Sequence, residues 1–62
     1  MEMAKLKKAL GKKRMAQVED IDVGRDHVDV QLKSGNGDIW DLNDFTESEI
    51  IFHIKRWIDE AA

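Results

Sequence analysis

Residues 45 to 58 read Phe45-Thr46-Glu47-Ser48-Glu49-Ile50-Ile51-Phe52-His53-Ile54-Lys55-Arg56-Trp57-Ile58, and the rest of the fold is read outward from them. Thr46 followed three residues later by Glu49 is a capping box. The Thr46 hydroxyl accepts from the Glu49 N–H, and the Glu49 side chain reaches back to the Thr46 N–H. Phe45 and Ile50 stand at the two hydrophobic-staple positions of the same helix start. At about 100° per residue, Ile50, Ile51, Ile54, Trp57, Ile58 and Ala61 share one arc. The spacing therefore predicts a helix over 47–61 with that arc toward a core. The opposite arc carries Phe52, Lys55, Arg56 and Asp59, where Phe52 has no apolar company.

Upstream the period changes from helical to alternating. Ile21 and Val23 alternate with Asp20 and Asp22, and Val28, Val30 and Leu32 with Asp29, Gln31 and Lys33. Period two is the mark of half-buried strands. Pairing Val23 with Val28 and Ile21 with Val30 puts four apolar side chains on one face of an antiparallel hairpin. Val18 is out of phase with Ile21, which calls for a bulge near Glu19 and Asp20 or a strand that begins only at Asp20. Ser34-Gly35-Asn36-Gly37 signals a second turn. A three-residue loop over Gly35–Gly37, with Gly37 left-handed, sets Leu32 opposite Trp40 and Val30 opposite Leu42. It leaves Ile39 on the far face of the sheet.

At the start of the chain Met3, Leu6 and Leu10 recur at spacings of three and four, with Ala9 beside them, so residues 1–14 are expected to form a helix. Gly11 weakens its end, and the helix either stops there or frays onward to Arg14. The expectation is one α+β domain over residues 1–62. Its parts are an N-terminal helix (1–14), a three-stranded antiparallel meander (18–42) and a C-terminal helix (47–61), with both helices on one face of the sheet.

Composition narrows the function classes. A 62-residue chain buries only about 60% of its unfolded surface and is marginal without a staple. With no Cys there is neither a disulfide nor a thiolate zinc site, and two His cannot make a structural zinc site alone. Hydrophobic residues at 42% and no Pro favour a folded domain. No stretch approaches the roughly 20 apolar residues of a membrane span and no signal-peptide core is present, so a cytoplasmic location without membrane contact is expected. The net charge of −3 conceals two ends. Residues 1–14 hold six basic groups against Glu2, a net +5, and the remainder holds four against twelve acids, a net −8.

No motif carries catalysis. Ser34 and Ser48 sit in a turn and a helix start, both ordinary local positions. Gly35-Asn36-Gly37-Asp38 lacks the ordered oxygen ligands and closing acid of a calcium loop. His27 and Asp29 lie two apart on the polar face of one strand and could share a metal with Asp20 or Asp22 of the strand before it, but this reads as a solvated face rather than a metal site, and His53 reads as a boundary residue. No enzyme activity, metal or cofactor is expected. The element order resembles the double-stranded-RNA-binding domain. That family holds phosphates with lysines at the start of its second helix, where this chain has Thr46-Glu47-Ser48-Glu49, so the resemblance is not carried further.

Binding is what remains. The leading expectation is a non-enzymatic protein-interaction module, a small adaptor or inhibitor, using Phe52, Arg56, Lys55 and the weaker Ile39, together with the acidic surface. Nucleic-acid binding through Lys5, Lys8 and Lys12 on one side of the first helix is the alternative. A homodimer sealed by Phe52, or a structural subunit of an assembly, is the third reading.

Overall fold

The computed structural model describes residues 1–61. In chain order it contains α1 (Met3–Met15), β1 (Val18–Val23), β2 (His27–Leu32), β3 (Gly37–Asp41) and α2 (Glu47–Ala61). The strands form one antiparallel sheet in the order β1-β2-β3, which is the expected α+β architecture.

α2 forms as its sequence dictates. Glu49 N–H donates to Thr46 Oγ1 at 3.2 Å and Thr46 N–H to Glu49 Oε1 at 3.0 Å, closing the capping box. Caps of this kind are worth about 1 kcal/mol. Ile50, Ile54 and Ile58 are fully buried, with Ile51, Trp57 and Ala61 packed at the margin. Each buried isoleucine contributes roughly 1.5–3 kcal/mol of apolar transfer free energy.

The first hairpin has the expected register, Val23 with Val28 and Ile21 with Val30, and the pairing slips between Val18 and Asp20. That slip is the bulge that returns Val18 to the core face, where it is 8% exposed. The second hairpin differs from expectation. Its loop is three residues long, as anticipated, but lies at Lys33–Gly35 rather than Gly35–Gly37. Gly35 N–H donates to Leu32 O at 2.9 Å and Leu32 N–H to Asn36 O at 2.8 Å, and Gly35, not Gly37, takes the positive φ of 100°. Trp40 therefore faces Val28, and Val30 faces Asp38. A displacement of four residues leaves every side chain on its expected face, so alternation alone does not detect it. Gly37 has a different duty. The end of the Gln31 side chain lies across it, would have to swing aside to admit a Cβ, and donates to Asp29 Oδ1 at 3.1 Å.

α1 also departs from a simple helix. Gly11 has φ 82° and ψ 169°, which breaks the helix into two pieces, and the chain resumes helical geometry through Met15. Leu6 and Leu10, just before the break, are buried against the same core as α2. Glu2 occupies the N-cap position without a side-chain cap bond, while Lys12, Lys13 and Arg14 fill the last turn, where cations oppose the helix dipole. Lys5 meets Glu47 at the start of α2 and Arg14 meets Asp59 near its end, so the two helices run parallel. Leu6, Leu10, Val18, Val28, Val30, Leu32, Trp40, Ile50, Ile54 and Ile58 form one cluster between both helices and the sheet, and among the described residues no polar side chain is buried in it.

Candidate interaction surface

The outer arc of α2 is set by the inner one: once Ile50, Ile54 and Ile58 turn to the core, Phe52 and Arg56 must face away. Phe52 is 59% exposed. It borders a shallow depression of about 450 Å³ lined by Arg14, Phe52, Lys55, Arg56, Asp59 and Glu60. The expected trio of Phe52, Lys55 and Arg56 is thus brought together, and Arg14 joins it from α1.

Arg14 grips Asp59 with two prongs, Nε to Oδ1 at 3.0 Å and an Nη to Oδ2 at 2.9 Å, and donates to the Leu10 carbonyl at 3.2 Å. The hydrogen bond raises the Arg14 pKa and holds the Asp59 carboxyl below the usual carboxylate range. Arg56 Nε reaches Glu60 one turn on at 3.2 Å. Phe52 is also less isolated than its spacing implied. Its ring stands edge-on to His53 with centroids 5.8 Å apart, and His53 stands edge-on to Phe45 at 5.1 Å. The sequence reading passed over Arg14 and His53 as site members. Their partners lie on another element or depend on ring orientation, and spacing reveals neither.

Ile39 does not belong to this surface. It is 58% exposed on the sheet face opposite the helices, across from Asp29, whereas Phe52 points away from the sheet on the helix side. That open face also carries Asp20, Asp22, His27, Gln31 and Asp41. His27 lies between two carboxylates, Nδ1 to Asp26 Oδ1 at 3.3 Å and Nε2 to Asp22 Oδ2 at 3.5 Å. The bond to Asp26, aided by Asp22, raises its pKa above the ordinary imidazole value. Among the described residues no group of three or more His, Asp or Glu side chains is placed to hold a metal ion.

The basic stripe of α1 is not continuous. Lys5 Nζ is held by Glu47 Oε1 at 3.0 Å, and the Gly11 break separates Lys8 from Lys12. Lys7, Lys8, Lys12 and Lys13 are exposed and make no ion pair among the described residues. Beside α2, a second groove of about 340 Å³ follows the free edge of β3 and is lined by Asp38, Trp40, His53, Arg56, Trp57 and Glu60. Trp40 and Trp57 meet there edge-to-face, 5.2 Å between centroids at 73°. No helix is long and apolar enough to cross a membrane. Compared with family models, with curated proteins and with solved structures, the chain matches none.

Proposed function

We propose that this chain is a non-enzymatic protein-interaction module, an adaptor or inhibitor, that engages a partner protein through the outer arc of α2. The observation that carries this reading is the exposure of Phe52, 59%, on a helix whose other large apolar residues are all buried or packed at the core margin. An aromatic ring beside Arg56 and Lys55, with both signs of charge around it, has the composition of a binding hot spot. The acidic open face of the sheet lies on the opposite side from this arc, so it acts on a basic partner through long-range attraction rather than contact. The test is affinity capture with the wild type and Phe52→Ser, after circular dichroism has established that both are folded. Loss of a specific captured protein in the folded variant supports the reading, and an unchanged captured set sinks it.

The four exposed lysines of α1 that make no ion pair among the described residues favour one second reading, nucleic-acid binding. Affinity for duplex or single strands would then fall steeply with added salt. A salt-insensitive or undetectable interaction with both removes it.

A further inference from the structure

Two strands of the sheet have a free edge, and they are finished differently. The β1 edge is interrupted by the bulge between Val18 and Asp20, a common way of blunting an edge against pairing. The β3 edge has no interruption. Leu32 N–H to Asn36 O and Leu42 N–H to Asp26 O bracket the β2–β3 ladder. Main-chain bonding alternates along an antiparallel strand. Asp38 and Trp40 therefore turn their main-chain groups toward β2, while Gly37, Ile39 and Asp41 turn theirs outward, the Asp41 carbonyl already accepting from Asp44 N–H at 3.1 Å. The Ile39 N–H is capped by its neighbour, Asp38 Oδ1, at 2.8 Å.

We propose that the β3 edge is the seam of a symmetric homodimer, in which β3 pairs antiparallel with β3 of a second copy about a two-fold axis at Ile39. In that register the exposed Ile39 lies opposite its own copy and covers the isolated apolar side chain of the open face. Asp41 falls opposite Gly37, and Asp38 opposite Trp40, so no acid meets an acid. The second copy's Asp38 then enters the groove that Arg56 and His53 line. Ile39 N–H exchanges its side-chain acceptor for the carbonyl of the second copy's Ile39.

Charge favours this rim over α1 and the open sheet face as the seat of a second copy, and the outward main-chain groups of β3 distinguish it from the Phe52 arc, which also carries both signs. The outer side of α1 is predominantly basic, and the open sheet face is predominantly acidic, so each repels itself. The β3 rim carries both signs, Arg56 against Asp38 and Glu60, and adds a row of outward main-chain groups. The seam is separate from the Phe52 arc and does not rest on the proposed function.

The test is light-scattering mass over a wide concentration range for the wild type, Ile39→Lys and Phe52→Ser, each shown to be folded. Ile39 is exposed, so lysine there leaves the core untouched and sets two cations against each other on the axis. The wild type should rise from the 7.2 kDa monomer mass toward twice that value with concentration. Ile39→Lys should associate at least about tenfold more weakly, and Phe52→Ser should behave as the wild type. Amide exchange adds a direct reading: protection should rise with concentration at Gly37, Ile39 and Asp41. A wild type monomeric throughout overturns the proposal. So does a dimer equally strong in Ile39→Lys, or one lost in Phe52→Ser.

Discussion

The two helices run side by side, yet they are held by different means. α2 specifies itself: it has a closed capping box, an unbroken run from Glu47 to Ala61 and three fully buried isoleucines on one stripe. α1 is broken at Gly11, has no side-chain cap and buries only Leu6 and Leu10. Isolated helices shorter than about 12–15 residues are marginal in water. α1 therefore depends on α2, through the shared core and two ion pairs, for its place on the sheet. The lesson is that a small domain can concentrate its folding information in one element and hang another upon it.

The sharpest way to break this comparison is to damage the self-sufficient partner. Ile54→Ala removes a fully buried side chain, and a loss of about 2–5 kcal/mol is expected, enough to unfold much of a chain this small. Because α1 leans on α2, chemical denaturation should show both helices melting together in this variant. A folded variant with loss confined to α2 would show that α1 holds its place unaided.

Next in size is Gly11→Ala. The φ of 82° with ψ 169° lies in a region essentially restricted to glycine, so a destabilisation of about 1–3 kcal/mol is expected if the break persists. Thermal melts of the variant and wild type measure it. A rise in stability, with more helix by circular dichroism, would mean that α1 prefers to be continuous and that the break costs more than it gains.

The smallest effects are ionic. The Lys5 hydrogen bond first, and its charge, hold Glu47 below the ordinary carboxylate range, and Arg14 does the same for Asp59. A depressed carboxyl contributes stability above its unfolded pKa, lost as pH falls through the folded value. The clasp between the helices should therefore weaken at acid pH. His27 has the opposite sign: its raised pKa contributes fully below the unfolded imidazole value and is lost as pH rises through the folded one. Melts between about pH 3 and pH 9 should fall at both ends, the acid limb diminishing in high salt because Glu47 and Asp59 are half exposed. Hydrogen exchange at acid pH should show α1 amides opening before those of α2. The reverse order would place the dependence on the wrong helix.

Much of this was legible in the residues. The capping box, the arc of α2, the bulge before Asp20 and the burial of Trp40 all follow from period and parity, which act locally. The β2–β3 turn lies two residues earlier than alternation suggests because a shift by an even number of residues preserves every face, and the register adopted sets Trp40 opposite Val28 and Gln31 opposite Gly37. At the candidate surface the exposure of Phe52 and Ile39 could be read from spacing. That they lie on opposite sides of the molecule, that Arg14 crosses to Asp59, and that His27 is held by Asp22 and Asp26 are long-range or rotameric facts with no sequence period.

The edge-to-face meeting of Trp40 with Trp57 has an optical consequence. They are the chain's two tryptophans, and it contains no tyrosine. At this separation and tilt the indole transitions couple, so circular dichroism should carry an exciton couplet and the fluorescence should come from a single site. Since one ring belongs to β3 and the other to α2, that signal reports the docking of the helix on the sheet edge. The protein thus carries an intrinsic, label-free gauge of the place where its two layers meet.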